Sequence, residues 1–489
     1  MNAPNIIYIL ADDMGYGDAG CNNPASKIPT PHLDRMAEQG MRFTDAHAPS
    51  SVCTPSRYAV LTGRYCWRSR LKRGVLWPTD GALIEGDRPT VASLLRDGGY
   101  HTACIGKWHL GLDWSYRDGC APLPEIGCGV HNKPVRHERM RNVDFSRPFR
   151  GGPLDCGFDR FFGVDAPNFP PYAWFQDDRL AGVPGEERPD EGECHGGPMV
   201  PDWKLGDIMP ALVRKTVEFI GEKHDKPFFV YLALTAPHTP IVPNPRFHGK
   251  SGAGPYGDFV CEVDDAVGQV LEALDRRGIA ENTLVIFTSD NGPEHFAYER
   301  IREYRHASMG SLRGVKKDTW EGGHRVPFIA RWPGVVPAGS ACGQLVSLAD
   351  FMATAADMAA IPLPSGASED GVSILPLLKG RWDRPVRDYA VHHGYSGGFA
   401  IRSGDWVYLE APGGLDAAGY EPEWFRDERG YPAPDGRAQL YHLGDDPSEA
   451  RNCLEEEPAV AARLAAWLGQ VRGGPLPFVD DGRDGVFSE

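Results

Sequence analysis

The sequence lacks the long apolar segment that a membrane-spanning helix requires. Such a helix needs about 20 consecutive apolar residues, and no stretch of the 489 residues approaches that length. The apolar run near the start, residues 6–10, is too short for the core of a signal peptide and leads directly into two aspartates. The sequence as given therefore predicts a cytoplasmic protein without a membrane anchor, or a periplasmic or secreted one if a leader has been removed.

The chain also lacks a basic excess and a paired-cysteine framework. Its 51 basic and 67 acidic residues give a net charge of −16, which argues against a nucleic-acid-binding protein, because those need a basic surface to replace phosphate counterions. The eleven cysteines are an odd number and include no CxxC pair. Cys120 and Cys128 are close in sequence, but no His or Cys cluster accompanies them, so no zinc site is predicted there. We expect mostly buried, reduced thiols.

What is present is the composition of a large globular protein. Hydrophobic residues make up 41% of the chain and charged residues 24%, which are ordinary proportions for a folded protein. Because single cores rarely grow past about 250–300 residues, a length of 489 residues predicts a large domain and a smaller one. We place them at residues 1–380 and 381–489.

Four short apolar runs, each followed by polar residues, predict the centre of the large domain. They span residues 5–10, 100–105, 228–234 and 283–288. Runs of this kind are typical of parallel strands buried on both faces. Helix-spaced apolar faces lie between them, at residues 88–96, 207–223 and 258–277. The alternation predicts an α/β sheet covered by helices on both sides. Ligands of such sheets bind beyond the carboxyl ends of the strands, where the polar residues should converge.

Two other regions differ from this alternation in amino-acid composition and in the spacing of their apolar residues. Residues 111–206 are rich in Gly, Pro and Arg with little periodicity, and we interpret them as long loops that form either a pocket rim or surface padding. Short strand patterns follow residue 380, at 389–394, 399–402, 406–410 and 439–443, before a helix that starts near Pro458. These predict a small antiparallel sheet with one helix.

Oxygen-bearing side chains follow the first and last of the four apolar runs. Asp12 and Asp13 come after the first run, and Asp290 and Asn291 come after the last. Adjacent buried carboxylates repel each other unless a cation neutralises them. Because hard oxygen ligands suit Ca²⁺ or Mg²⁺ better than zinc, we predict a divalent-cation site, with Ca²⁺ preferred and Mg²⁺ left open.

Cys53 lies in the segment Cys53-Thr-Pro-Ser-Arg57, which continues to Leu-Thr-Gly-Arg64. A single cysteine can be a thiol nucleophile if its pKa is depressed, or a buried structural residue. The pattern Cys53-x-Pro-Ser-Arg57-x-x-x-Leu-Thr-Gly-Arg64 resembles the signature of the formylglycine-dependent (type I), arylsulfatase-like sulfatases of the alkaline phosphatase superfamily. Thr54 stands where Ser or Ala is commonest in that family.

Further segments carry the same resemblance. They are the second signature, Gly99-Tyr-x-Thr102-x-x-x-Gly106-Lys107-x-His109, the opening Asp12-Asp-Met-Gly-Tyr-Gly-Asp18, the Pro237-His238 step, Asp290-Asn-Gly292, and Lys316 ahead of Glu321-Gly-Gly323. The resemblance covers most of residues 5–335. It implies an alkaline-phosphatase-like fold, with a large, mixed, mostly parallel sheet flanked by helices, and a sulfate-ester hydrolase.

The resemblance also implies a modified residue. In that family a separate maturation enzyme oxidises the cysteine of the first motif to Cα-formylglycine, so we expect Cys53 to be converted. One hydroxyl of the hydrated aldehyde, activated by the metal, would attack sulfur. Loss of a proton from the second hydroxyl would then expel sulfate, which is a step that a serine could not perform.

The remaining roles follow by resemblance, residue by residue. Asp12, Asp13, Asp290 and Asn291 would hold the cation, with residue 53 as a further ligand. Arg57 would steady the aldehyde hydrate. The other roles are sulfate binding by Lys107 and Lys316, removal of the second hydroxyl's proton by His109, and sulfate binding and protonation of the leaving alcohol by His238, together with Lys316.

Two alternatives remain at this point. One is a phosphomonoester or phosphonate hydrolase of the same superfamily, and the other is an inactive protein that binds sulfated glycans with Cys53 unmodified. Sulfated carbohydrate is the substrate class we expect, with aryl sulfates as the other option, while the oligomeric state is left open. Nothing in the sequence singles out His195, His306 or Arg313, and spacing to Glu321 favours Lys316 over Lys317.

Overall fold

The computed structural model describes residues 3–119, 126–127, 133–416 and 419–474. Cys120 and Cys128, where no zinc site was predicted, lie outside the described residues. The nine described cysteines are free thiols, and seven of them are buried.

The described residues form short and medium-length elements that alternate along the chain. In chain order the strands are β1 Asn5–Ala11, β2 Met41–Phe43, β3 Ala46–His47, β4 His101–Lys107, β5 Arg160–Val164, β6 Phe175–Gln176, β7 Arg179–Leu180, β8 Glu186–Arg188, β9 Gly197–Met199, β10 Phe228–Ala233, β11 Thr283–Ser289, β12 Phe328–Arg331, β13 Ser340–Cys342, β14 Val346–Ser347, β15 Ala390–His393, β16 Phe399–Ser403, β17 Trp406–Leu409 and β18 Gln439–His442. The helices are α1 Pro31–Glu38, α2 Cys53–Thr62, α3 Val91–Asp97, α4 Lys133–Arg141, α5 Ile208–Gly221, α6 Gly254–Arg277, α7 Ala297–Tyr304, α8 Glu321–His324, α9 Phe351–Ala359, α10 Leu375–Leu378, α11 Glu423–Arg429 and α12 Pro458–Gly473.

A ten-stranded sheet forms the centre of the molecule, in the order β13-β2-β12-β11-β1-β10-β4-β5-β6-β7. Its middle five strands, β11 to β5 in that order, are all parallel. Antiparallel pairs flank them on both sides, at β11–β12, β12–β2, β5–β6 and β6–β7. The predicted large, mixed, mostly parallel sheet is therefore confirmed, and all four predicted apolar runs are among its five parallel strands.

Both faces of this sheet are buried, which explains the continuous apolar runs. In β1, Ile6, Tyr8 and Leu10 belong to one core cluster, whereas Ile7 and Ile9 belong to another on the opposite face. The first cluster includes residues of α3 and α9, and the second includes residues of α5 and α6. Among the described residues no helix is both long and apolar enough to cross a membrane.

Residues 111–206 are more structured than we expected. They contain α4 and the strands β5 to β9, so the interpretation as long loops was wrong for those segments. The five residues of β5 are too few to show a clear periodicity. In α4 the only buried residues are Arg136 and Met140, so the helix has no apolar face to detect.

The C-terminal part has the predicted architecture. Strands β15, β16, β17 and β18 form a four-stranded antiparallel sheet. Helix α12 packs against it, with Leu464, Leu468 and Val471 in one cluster with Val391 and Ile401 of the sheet. The division near residue 380 stays a prediction.

Candidate active site

The sheet register brings the predicted metal ligands together. Ala11 pairs with Ser289 across β1 and β11, so the residues that follow each strand leave the sheet side by side. Asp12, Asp13, Asp290 and Asn291 are all fully buried. The Asp13 backbone N–H donates to Asp290 Oδ1 at 3.2 Å, and the Asn291 amide nitrogen donates to Asp13 Oδ1 at 2.7 Å.

Cys53 is the first residue of α2 and faces this carboxylate group. Its Sγ and carboxylate oxygens of Asp12 and Asp290 all lie within 4.8 Å of one another. The helix N-terminus brings a partial positive charge to the same point. Burial raises the pKa of the Cys53 thiol, although Lys107 and Lys316 act in the opposite direction. The unmodified cysteine is therefore a poor source of thiolate, which argues against a simple thiol nucleophile.

Arg57 lies one helical turn after Cys53 and is completely buried. Its Nε and Nη2 are 2.9 and 2.7 Å from Asp290 Oδ2, and Nη2 is also 3.3 Å from Asp12 Oδ1. The guanidinium thus bridges the carboxylates that follow two different strands. This contact orients both carboxylates toward residue 53.

Lys107 and His109 extend from the end of β4. Lys107 Nζ is 2.8 and 3.1 Å from the two oxygens of Asp12. His109 adopts a positive φ of 53°, which is uncommon for a residue other than glycine and is found at functional sites. The Nε2 atom of His109 is 3.0 Å from the carbonyl oxygen of Leu76.

That contact determines the tautomer of His109. Because a carbonyl oxygen only accepts hydrogen bonds, Nε2 carries the proton and Nδ1 has a lone pair. Burial, reinforced by the charges of Lys107 and Arg57, lowers the pKa of His109 well below its ordinary value. Its Nδ1 is buried without a hydrogen-bond partner among the described residues. His109 is therefore a neutral imidazole with one ring nitrogen ready to accept a proton.

Lys316 and His238 approach the same carboxylates from other segments. Lys316 Nζ is 2.7 Å from Asp13 Oδ2, and His238 Nε2 is 3.7 Å from the same oxygen. Lys317 points elsewhere, since its Nζ lies over the ring of Tyr395, 5.6 Å from the centroid. The structure therefore places Lys316, and not its neighbour, in the site.

A hard divalent cation fits these residues. Asn291 Oδ1 is buried and has no hydrogen-bond partner among the described residues, so an amide oxygen stands ready beside three carboxylates. Asp12, Asp13 and Asp290 supply the all-oxygen donor set that Ca²⁺ and Mg²⁺ prefer. All the predicted site residues, from six separate stretches of chain, thus lie around one point.

Sequence reasoning missed two groups that position His109. Asp165 directly follows β5 and accepts the His109 backbone N–H at 3.1 Å, and burial raises the pKa of its carboxyl to about 6. The second is the Leu76 carbonyl. Asp165 obeys the same strand-end rule as Asp12 and would have been found if β5 had been recognised. A backbone carbonyl has no sequence signal.

The rim of the site includes part of the 111–206 region, as one of the two interpretations of that region predicted. On one side Phe169 stacks on His195 with ring centroids 4.4 Å apart, and Trp77 contacts both rings. His109 lies 6.2 Å from Phe169, so part of the 111–206 region does border the site. On the other side, beside Lys316, is a cavity of about 380 Å³. Its other lining residues are Glu294, His295, Glu299, Lys317, Gly419 and Tyr420.

His306 and Arg313 belong to other contacts. His306 Nε2 is 2.8 Å from Asp18, and Arg313 forms two bonds of 2.8 and 2.9 Å to Glu421. These are buried pairs that stabilise the surrounding chain.

Comparison with known proteins agrees with this geometry. A family model described as Sulfatase matches residues 4–361. The chain is 35% identical over 497 residues to an N-acetylgalactosamine-6-O-sulfatase of Bacteroides thetaiotaomicron, with 96% of this chain and 93% of that protein covered. Human arylsulfatase A is 36% identical over 423 residues, covering 82% and 74%. A structure from work on glycosaminoglycan metabolism by Bacteroides thetaiotaomicron superposes with a TM-score of 0.81 at 32% identity, covering 97% of this chain and all of the other. The chain belongs to the sulfatase family and is an enzyme that hydrolyses sulfate esters.

Proposed function

We propose that this sulfatase acts on sulfated carbohydrates, with residue 53 converted to Cα-formylglycine and with Ca²⁺ bound beside it, Mg²⁺ being the alternative ion. The observation that carries the proposal is the convergence of Cys53 Sγ with oxygens of Asp12 and Asp290 within 4.8 Å. Asp12, Asp13, Asp290 and Asn291 are the residues that would hold the cation. Conversion of Cys53 requires a separate maturation enzyme, which is the partner we expect.

The Cα-formylglycine at position 53 and the divalent cation would supply the nucleophile and its activation. A hydrated aldehyde offers two hydroxyls, and a divalent cation lowers the pKa of a hydroxyl that it binds. The chain's own residues set the charge around them. Arg57 holds Asp12 and Asp290 in place through its bonds of 2.7–3.3 Å, so these carboxylates stay oriented. Burial raises the pKa of Asp290 to about 7, and a bound cation would favour its ionised form.

In this proposal Lys107 and Lys316 bind the sulfate group of the substrate. Their ammonium groups contact Asp12 and Asp13 at 2.7–3.1 Å, so both cations lie at the edge of the same carboxylate group. Each ammonium has three N–H donors, and donors that remain after the carboxylate contact can bind sulfate oxygens. Such fixed cations stabilise the negative charge that develops as the sulfuryl group transfers.

The two histidines suit opposite proton transfers. His109 is neutral and presents Nδ1, so it can accept a proton from a hydroxyl at residue 53. His238 donates its Nδ1–H to the carbonyl of Thr239, which leaves Nε2 as the atom that exchanges protons in the site. Burial, with the charge of Lys316, lowers the pKa of His238, so its protonated form is less populated but is a stronger acid toward a leaving alcohol. Lys316 lies beside it as a second donor.

The substrate class rests on two kinds of support. Relatives of high coverage include a sulfatase of N-acetylgalactosamine-6-O-sulfate and a protein of glycosaminoglycan metabolism. In addition, the cavity beside Lys316 combines acidic side chains with His295 and the exposed ring of Tyr420. Acceptors next to an aromatic face are well suited to a sugar ring with hydroxyl and amide groups.

The test compares the turnover of three substrates by the wild type and the turnover of variants at residue 53. We expect turnover of 6-O-sulfated N-acetylgalactosamine to exceed that of an aryl sulfate, and both to exceed that of an aryl phosphate. Cys53→Ala should abolish turnover while circular dichroism shows an intact fold. Cys53→Ser, which retains one hydroxyl, should also fail to turn over repeatedly. Intact-mass measurement of the wild type reports the conversion of residue 53.

Three results would contradict the proposal. Faster hydrolysis of the aryl phosphate would favour the phosphomonoester hydrolase. An unconverted thiol, in protein co-produced with a maturation enzyme and releasing no sulfate, would favour a glycan-binding protein. Substantial activity in Cys53→Ala would reject residue 53 as the source of the nucleophile.

A further inference from the structure

The hydroxyl of Thr54 connects three parts of the active site. Thr54 follows Cys53 in the chain and is fully buried. Its Oγ1 donates to the backbone carbonyl of His109 at 3.1 Å and accepts the backbone N–H of Leu76 at 3.2 Å. One side chain thus contacts segments that are 55 and 22 residues away in sequence.

These contacts close into a ring of hydrogen bonds. The Leu76 carbonyl accepts the Nε2–H of His109 at 3.0 Å, while the N–H of the same residue donates to Thr54. Thr54 in turn donates to the backbone carbonyl of His109. His109 is therefore held at two points, its backbone by Thr54 and its ring by Leu76, and Leu76 is itself held by Thr54.

This ring of hydrogen bonds has a chemical consequence beyond the satisfaction of buried backbone groups. The Leu76 carbonyl keeps the proton of His109 on Nε2 and leaves a lone pair on Nδ1. That Nδ1 is buried without a hydrogen-bond partner among the described residues. In the other tautomer Nδ1 would carry the proton and could not serve as a base.

The residues that follow Leu76 are held by separate contacts. The Trp77 N–H donates to Asp80 Oδ2 at 2.8 Å, and Asp80 forms a buried ion pair with Arg136. The Asp80 N–H also donates to the Trp77 carbonyl at 2.9 Å. Loss of the Thr54 hydroxyl would therefore loosen the Leu76 peptide group without unfolding the turn at residues 77–80.

We propose that Thr54 is a positioning residue, whose hydroxyl holds His109 in the tautomer and orientation that accept a proton from residue 53. The inference rests on the proposed function for the role of His109 as a base. Without the hydroxyl, the Leu76 N–H and the His109 carbonyl lose a partner in a buried place, which is costly. The Leu76 peptide group then shifts to find other partners, and the ring of His109 loses the acceptor that selects its tautomer.

The first measurement is the tautomer of His109 in full-length protein produced without the maturation enzyme, so that Cys53 is unconverted. Long-range proton–nitrogen correlation spectra of protein labelled at the histidine nitrogens distinguish a protonated ring nitrogen from an unprotonated one. The His109 signals are identified by their loss in His109→Gln. Wild type and Thr54→Ser, which keeps the hydroxyl, should show the Nε2–H form alone. Thr54→Val, which has the shape of threonine without the hydroxyl, should show both tautomers.

The second measurement is sulfate release from an aryl sulfate per converted residue 53. We expect Thr54→Val to lower kcat by at least about tenfold, since a misplaced catalytic group can cost about 100-fold, and Thr54→Ser to stay close to the wild type. The matched control is Thr354→Val. Thr354 is also buried, and its hydroxyl donates to the Asp350 carbonyl at 2.7 Å and accepts the Ile374 N–H at 3.0 Å. This control loses the same kinds of hydrogen bond but should keep the wild-type rate and tautomer.

A single Nε2–H form in Thr54→Val overturns the proposal, and so does a wild-type rate. Equal losses of rate in Thr54→Val and Thr354→Val also overturn it, because they would reflect folding alone. If Thr54→Val does not fold, Thr54→Ala, which lacks the hydroxyl and is smaller, takes its place in both measurements. Failure of the proposed function would instead show as absent sulfate release by the converted wild type, with the tautomer results unchanged.

Discussion

Gly106 precedes Lys107, the last residue of β4 and a predicted catalytic residue, and its replacement gives the sharpest test of how the fold positions the site. Gly106 has φ +124°, in a region that side-chain-bearing residues rarely adopt. A Cβ atom added there would lie 1.8 Å from the carbonyl oxygen of Ala233, its partner across β4 and β10. Gly99 is the matched control, because it also has a positive φ of +92° but open space around its Cβ position.

The two substitutions separate backbone strain from the steric clash. Gly99→Ala introduces only strain, about 1–3 kcal/mol for an unfavourable backbone conformation. Gly106→Ala adds an overlap with a neighbouring strand, which in packed interiors costs about 1–3 kcal/mol more, for a sum of about 2–6 kcal/mol. At about 2.1 cal/mol/K per residue, the unfolding entropy of 489 residues is about 1 kcal/mol/K. We therefore expect the melting temperature to fall by about 1–3 °C in Gly99→Ala and by about 2–6 °C in Gly106→Ala.

Activity should separate the variants further. Relief of the clash moves the strand end that carries Lys107, whose Nζ lies 2.8 Å from Asp12. A misplacement of about 1 Å at a catalytic group can cost about 100-fold in rate. We expect a loss of that order for Gly106→Ala and a change of less than about fivefold for Gly99→Ala, measured as kcat on an aryl sulfate per converted residue 53. Equal melting temperatures and equal rates in the two variants would refute the reasoning.

Three further predictions concern single side chains. His109→Ala should lower kcat by about 10²–10⁴-fold without unfolding the protein, as followed by sulfate release and circular dichroism. Asn291→Ala should raise the Ca²⁺ concentration for half-maximal activity by at least about tenfold, in a titration after chelation. Burial raises the pKa of Glu262 to about 7, so the folded state binds a proton and stability falls as pH rises from about 4.5 to about 7. Glu262→Gln, which still accepts the Asn244 N–H, should reduce the difference in melting temperature between about pH 5 and pH 8.

Much of the fold followed from the sequence because its strands are buried on both faces. A strand such as β1 is covered on both faces and is therefore apolar along its length, so its apolar run ends where the strand ends and the predicted metal ligands begin. That is why Asp12 and Asp290 could be located from the ends of runs alone. The motif around Cys53 then linked a separate helix to the same edge of the sheet. The division of labour among the catalytic residues came from the family resemblance and stays a prediction.

What escaped prediction has equally physical causes. Strand β5 has only five residues and is too short to show a clear hydrophobic periodicity. Asp165, which follows it, was therefore not recognised as a site residue. The tautomer of His109 depends on the Leu76 carbonyl, a backbone group that any residue type would provide. Contacts between distant loops are set by the tertiary fold, which local patterns do not encode.

The net charge of the molecule gives a reason to expect that the proposed cation is needed for substrate binding. The chain carries a net charge of −16, which repels a sulfate ester at long range, so attraction must come from groups close to the ester. Around residue 53 three carboxylates face the three cations Arg57, Lys107 and Lys316, and these charges cancel. The proposed divalent ion would therefore supply positive charge that these side chains do not, and it would act in a buried region where solvent screens charges weakly. It follows that removing the ion should weaken sulfate-ester binding as well as turnover, because the lysines alone only balance the carboxylates that orient them.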